Sequence, residues 1–249
     1  MAATRFLPRR LDTAFSRLAG PESLKSILAL GGGPEYVSYW DDFVGSPSGT
    51  WPDTANWSYP ATVGTGTEVI GVTAARGGTL TCTTANTSGN GAYQYLGLNW
   101  RGTEGIYYVC RAKIDNVATA KFEIGLSDSL TGEGVVATKA TPTFTATDGA
   151  VFVFDTADDT NVTFITANAG VVGANVDSSF TVVNDTFFIV EIVAQGGFAA
   201  GYLNGQYVGG GAITATAALT PGVGATTRAA ATRTLTVDYQ GCIGPRNAI

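Results

Sequence analysis

Ile106-Tyr107-Tyr108-Val109-Cys110-Arg111-Ala112-Lys113-Ile114 is the stretch that decides the fold. Ile106, Tyr108, Cys110, Ala112 and Ile114 alternate with Tyr107, Val109, Arg111 and Lys113. Successive strand side chains point to opposite faces, so this period of two predicts an antiparallel strand with one buried face. The pattern recurs where Phe122, Ile124 and Leu126 alternate with Lys121, Glu123 and Gly125, and where Leu235, Val237 and Tyr239 alternate with Thr234, Thr236 and Asp238. Phe187-Phe188-Ile189-Val190-Glu191-Ile192-Val193 is apolar on both faces apart from Glu191, as a central strand would be. Leu203-Asn204-Gly205-Gln206 sets Asn-Gly between two strand-like runs, the strongest short-range hairpin signal. Strand candidates continue at intervals of about 8–12 residues with turn residues between them, which predicts an all-β sandwich or barrel. Residues 209–232, rich in Gly, Ala and Thr, read as a long loop or a mobile edge.

Composition agrees with a folded core. Of 249 residues, 45% are hydrophobic and only 14% charged, too apolar for a disordered chain. No apolar run is long enough to cross a bilayer as a helix, so no membrane partner is expected. Met1 to Leu30 has no uninterrupted apolar core followed by a cleavage site and reads as mature protein. Three cysteines, Cys82, Cys110 and Cys242, cannot all pair within one chain. They read as buried free thiols of a protein made in a reducing cytoplasm. Histidine is absent, which removes Ser-His-Asp and Cys-His catalysis and imidazole metal sites. No cofactor is expected.

Charge divides the chain into an arm, residues 1–34, and a body, residues 35–249. Arg5, Arg9, Arg10, Arg17 and Lys25 against Asp12 and Glu22 give residues 1–30 a net +3. The whole chain is −6, so the rest carries −9. An acidic body argues against nucleic acid as a partner. Leu7, Leu11, Phe15 and Leu18 fall on one helical stripe, with Pro8 at its start and Gly20-Pro21 ending it. Leu24, Ile27 and Leu28 form the apolar face of a second short helix, closed by Gly31-Gly32-Gly33-Pro34. Helices this short are ordered by what they pack on, which makes the arm a docking element.

The order of landmarks resembles a known architecture. Tyr39-Trp40-Asp41-Asp42-Phe43 opens the body, and Phe122-Glu123-Ile124-Gly125-Leu126-Ser127-Asp128 and Gly149-Ala150-Val151-Phe152-Val153-Phe154-Asp155 lie mid-chain. Phe188-Ile189-Val190-Glu191-Ile192, Gly201-Tyr202-Leu203-Asn204-Gly205 and Leu235-Thr236-Val237-Asp238-Tyr239 follow. Across residues 35–245 the chain resembles the concanavalin-like (laminin-G-like) jelly roll of many tailed-phage structural proteins. The expected fold is therefore an antiparallel jelly-roll-like β-sandwich with a short helical N-terminal arm. The resemblance implies a capsid decoration protein on the outer surface of a virion, commonly a homotrimer, with the major capsid protein as its partner. It transfers no site residue. The docking arm would use Arg5, Arg9, Arg10 and Arg17 for charge and Leu7, Leu11, Phe15, Leu18, Leu24, Ile27 and Leu28 for apolar contact.

Folds of this kind also include lectins, glucanases and polysaccharide lyases. A retaining glucanase places carboxylates in an E-x-D-x-x-E pattern on one strand, because its chemistry needs two carboxyls about 5–5.5 Å apart. Glu123 is followed by Gly125 and Asp128, and Glu191 by Val193 and Ala194, so neither matches. The chain is expected not to be an enzyme. Glu191 shares a strand face with Phe187, Ile189 and Val193 and is expected to be partly buried and paired. Tyr36, Tyr39, Trp51, Trp57 and Tyr59 are candidates for stacking on a surface glycan, the alternative being a lectin-like fibre or adsorption protein. Tyr93 and Tyr95 share a strand face and are a second candidate pair, and Trp40 and Phe43 are expected in the core or an interface. Asp155 to Asp159 form an acidic cluster without calcium-loop spacing, read as a turn.

Overall fold

The computed structural model describes residues 36–41, 43, 59–64, 67–73, 78–97, 100–103 and 105–245. The arm, with all eleven of its candidate docking residues, and Trp51 and Trp57 lie outside them, as do the side chains of Tyr36 and Tyr59.

Two antiparallel sheets form a sandwich. The first runs β16 (Gln206–Ala212), β15 (Phe198–Leu203), β14 (Phe188–Gln195), β7 (Ile106–Ile114), β18 (Thr234–Pro245), β4 (Thr79–Thr83) and β3 (Val69–Thr73), with β1 (Tyr36–Asp41) also paired to β18. The second runs β13 (Val171–Thr181), β12 (Asn161–Asn168), β11 (Gly149–Asp155), β8 (Ala120–Ser127), β17 (Ala218–Thr227), β5 (Gly91–Tyr95) and β2 (Tyr59–Val63), with β6 (Trp100–Arg101) on β17. A short ladder of β9 (Val136–Thr138) and β10 (Thr143–Phe144) stands apart. The all-β sandwich expected from the alternation is present, jelly-roll-like as the resemblance implies, and the described residues contain no helix.

The core lies between the sheets. Cys110, Ala112 and Ile114 of β7 and Val190 and Ile192 of β14 meet Phe122, Ile124 and Leu126 of β8 and Phe152 and Phe154 of β11. Phe122 links the layers, stacked 5.2 Å from Phe154 on its own sheet and 5.3 Å from Phe188 on the other. Each such ring contributes on the order of 2 kcal/mol by leaving water. Cys82, Cys110 and Cys242 are free and buried there, as expected. Asn204 and Gly205 both take positive φ (50° and 77°), so Asn-Gly closes the β15–β16 hairpin as its sequence predicts.

Two features differ from the sequence reading. Of residues 209–232, expected as a long loop or mobile edge, 209–212 end the edge strand β16 and 218–227 form β17, buried mid-sheet between β8 and β5. Its small residues are required by what lies over them. A Cβ on Gly224 would sit 2.2 Å from the Tyr93 ring and one on Gly222 would sit 2.4 Å from the Tyr95 ring. The second difference is in β18, where the register shifts between Val237 and Tyr239. Leu235 and Val237 face the core, but after the bulge Tyr239 turns to the outer side with Asp238, which pairs with Arg111.

The flank formed by β13 and β16 is closed by glycines. A Cβ on Gly173 would meet the Ala212 carbonyl oxygen at 2.3 Å, and one on Gly211 the Gly173 carbonyl carbon at 2.6 Å. The backbones of the two edge strands therefore touch across the sandwich. β13 also shifts register twice against β12, which bends this edge strand.

Candidate functional site

The outer face of the first sheet is apolar where a one-sided sheet would be polar. Cross-strand register places Trp40 beside Gly241, Gly241 beside Val109, Val109 beside Glu191, Glu191 beside Tyr202 and Tyr202 beside Tyr207. This row crosses β1, β18, β7, β14, β15 and β16, about 24 Å at the usual strand spacing. The neighbouring row sets Ile243, Tyr107, Val193 and Ala200 side by side. Of these, Trp40, Tyr107, Val109, Val193, Tyr202 and Ile243 form, with Ile189 and Tyr239, an apolar cluster separate from the core.

Aromatic rings dominate this face. The Trp40 ring covers Gly241, where a Cβ would lie 2.4 Å from its Cε3, and stacks on Tyr239 at 5.0 Å with planes 25° apart. Tyr202 and Tyr207 meet edge to face at 5.5 Å. Tyr207 is 61% exposed and Phe198, on the same face, 49%. Glu191 is 4% exposed among these rings. Burial pushes the Tyr107 phenol well up, and the Glu191 carboxylate pushes it further. Tyr202 is raised by desolvation, then by Tyr207 and Glu191. The cations of this face are paired: Arg111 with Asp238, and Lys113 with Asp185 at 2.9 Å. The Arg111 guanidinium also lies 4.0 Å over the Phe187 ring.

The outer face of the second sheet is covered instead by the segment joining β8 to β11, residues 128–148, here called the strap. Val135, Val136 and Ala146 of the strap pack on Val151, Val153 and Ile165. Glu123, 3% exposed, accepts hydrogen bonds from the backbone N–H of Val135 and of Val136 (3.2 Å) and pairs with the Lys121 Nζ at 2.6 Å. Lys121 in turn donates to the Val136 carbonyl oxygen. Gly134 sits so close that a Cβ there would strike the Glu123 carboxyl at 2.6 Å. Tyr93 and Tyr95 lie alongside, stacked at 6.2 Å, with the Tyr95 hydroxyl donating to the Thr131 carbonyl. The cavity beside them is about 10 Å³, room for about one water. Glu123 is thus engaged with a lysine and with strap amides, and Gly125 and Ser127 occupy the next outward positions of its strand.

Among the sequence candidates, Tyr39 points inward, edge-on to Trp100 at 5.7 Å and against the core, so it is not on the outer face. Its neighbour Trp40 is there instead, and Phe43 is buried in the core. Tyr93 and Tyr95 are under the strap. The acidic turn is structural: Asp155 pairs with Arg228, Asp158 accepts from the Lys139 and Ala140 N–H groups, and Asp159 pairs with Lys139. Tyr202 and Tyr207 were not singled out. The signal was the second apolar face of Tyr107-Val109 and Ile189-Val193 on strands already assigned one buried face.

No protein-family model and no curated protein sequence matches the chain. Solved structures match its shape. One belongs to work on endo-acting O-glycanases by which human gut bacteria initiate mucin breakdown (TM-score 0.60, 10% identity, 83% of this chain and 98% of that one). Another is a prokaryotic β-1,3-1,4-glucanase, a lichenase from a mouse hindgut metagenome (0.54, 13%, 82% and 98%). A third is peanut lectin (0.56, 11%, 84% and 97%). These three are concanavalin-like jelly-roll sandwiches whose names point to carbohydrate. They correct the expectation of a non-enzymatic chain, since glycoside hydrolases stand among them. The missing E-x-D-x-x-E spacing removes one catalytic arrangement, not catalysis.

Proposed function

We propose that this chain is a carbohydrate-binding β-sandwich protein that takes glycan on the aromatic outer face of its first sheet. The observation that carries this is the β15–β16 end of that face, where Tyr207 and Phe198 stand in solvent beside the half-buried Tyr202, while Val109, Glu191 and Tyr107 in its middle are buried. Aromatic faces supply large contact area, and the phenol and indole edges supply hydrogen bonds to hydroxyls. The carbohydrate-active neighbours are compatible with this reading. The test is a glycan array followed by tryptophan-fluorescence titration, with reducing-sugar release measured on the same ligands. Binding lost in Tyr207→Ala, whose side chain is exposed, supports the reading; array-wide absence of binding ends it.

A second reading is favoured by the charge contrast between arm and body. In it the sandwich is a trimeric capsid decoration protein on the outside of a virion. Residues 1–34 dock it on the major capsid protein through Arg5, Arg9, Arg10 and Arg17 and the apolar stripe from Leu7 to Leu28. Co-sedimentation with capsids lacking the protein tests it, full length beside a form without residues 1–30. Equal binding by both forms would remove the arm from the explanation.

A further inference from the structure

We propose that residues 1–34 fold back on their own chain as a cover over the middle of the first sheet's outer face, and leave its β15–β16 end open. This goes beyond both functional readings and needs neither of them.

Burial is the first observation. Tyr107, Val109, Ile243 and Glu191 turn outward on that face, yet they are 1–4% exposed. Neighbours on one sheet can flank a side chain, but only a second layer can roof it. On the second sheet the strap is that layer, with Val135, Val136 and Ala146 over Val151, Val153 and Ile165. On the first, among the described residues, every member of the buried cluster belongs to a strand of the same sheet. Tyr207 and Phe198, at 61% and 49%, mark where the roofing stops. From β1 to β14 the roofed width is three strand spacings, about 14 Å, and a helix of about ten to twelve residues is about 15–18 Å long.

Two stretches outside the described residues are long enough to supply the roof, 1–35 and 44–58. The course of the chain favours the first. Glu35 leads into Tyr36 of β1, the strand that bounds this face beside β18, so the arm is tethered at the edge of what it covers. After β1 the chain turns the other way: Phe43 is buried in the core, and the stretch ends at β2 on the second sheet. Charge favours the first as well. The face presents Arg111 and Lys113 against Asp238, Asp185 and Glu191, 2 − 3 = −1. A cover lying on Glu191 has to bring cations or hydrogen-bond donors rather than acid. Residues 1–30 are +3, whereas residues 44–58 hold Asp53 as their single charge. The arm also supplies an apolar layer, in the stripe of Leu7, Leu11, Phe15 and Leu18. An outside partner of the arm would therefore compete with the arm's own sheet.

The test is thiol accessibility in the full chain carrying Val109→Cys, read by iodoacetamide alkylation and peptide mass mapping against the buried native thiols. Circular dichroism checks the fold of each variant. With the arm intact the new thiol should react slowly and at a rate independent of protein concentration. With Leu11→Asp and Phe15→Asp added it should react at least about ten-fold faster, as expected when a local cover opens and the sheet beneath stays folded. Trp57→Ala, in the other stretch, should leave the rate unchanged. Nitration of Tyr107 and Tyr239 in chains without the reporter cysteine makes the same comparison if Val109→Cys does not fold. Protection that survives both arm substitutions, or that Trp57→Ala removes instead, would overturn the proposal. So would protection lost on dilution, since the cover would then be a second copy of the chain.

Discussion

Gly224 shows how much one hydrogen atom can decide. Its missing Cβ is the space occupied by the Tyr93 ring, 1% exposed, whose hydroxyl bonds Thr226 at 3.1 Å. Gly224→Ala should cost about 1–3 kcal/mol, the usual penalty for overpacking, read as a lower midpoint in urea with unchanged slope. Lys121 is a different case, because its value lies in another group's charge. Lys121→Met removes the cation beside Glu123 and leaves a buried carboxylate, so about 3–5 kcal/mol should be lost; Lys121→Met with Glu123→Leu should recover most of it. Alternation alone placed Cys110, Phe122 and Leu235 correctly, because each needs only the period of its strand. It misplaced Tyr239, because a bulge is a change of period, and nothing local in Thr236-Val237-Asp238 announces one. Aromatic clustering drew attention to Tyr39, but parity decides the face: one residue on, Trp40 is the ring on the outer side.

Elements were legible in proportion to how far their own residues determine them. The β15–β16 hairpin is written in Asn204-Gly205, and β7 and β14 in their side chains. β17 is not, because its composition answers to Tyr93 and Tyr95 on the next strand, a contact about 130 residues away in sequence. Glycine and alanine there look like loop until the rings that fill their space are known. The strap is equally illegible: a stretch rich in Thr, Ala and Gly covers a sheet face because a buried carboxylate caps its amides. Glu123→Gln halves that charge-assisted capping. Hydrogen exchange should then quicken at Val135 and Val136 while amides of β8 and β11 keep their protection. Uniform acceleration across the second sheet would mean that the strap is part of the global folding unit instead.

At the scale of the whole molecule, pH response follows from what is buried. Tyr93, Tyr95, Tyr107 and Tyr108 are all held well above the ordinary phenol range, chiefly by burial, and Cys82 is pushed up to about 12 by the same cause. A raised folded-state value means that the unfolded chain gives up its proton first. Stability from these groups is complete below the ordinary thiol and phenol values and is lost as pH rises through and beyond them. Denaturation midpoints should therefore hold steady at neutral pH and fall steeply from about pH 9–10 upward. Phenolate absorbance of the buried tyrosines should appear together with unfolding rather than before it. The thiols should ignore an aromatic disulfide reagent at pH 8 until denaturant is added.

The glycine contact between β13 and β16 bears on how the protein behaves in a crowd. A sandwich with an open flank offers neighbours a lateral seam, and at high concentration such seams grow into ribbons. Here Gly173, Gly209 and Gly211 let the two layers close on each other like the lips of a purse, and the twice-kinked outer strand gives an incoming chain no straight rail. On that side many copies can stand shoulder to shoulder and remain separate particles.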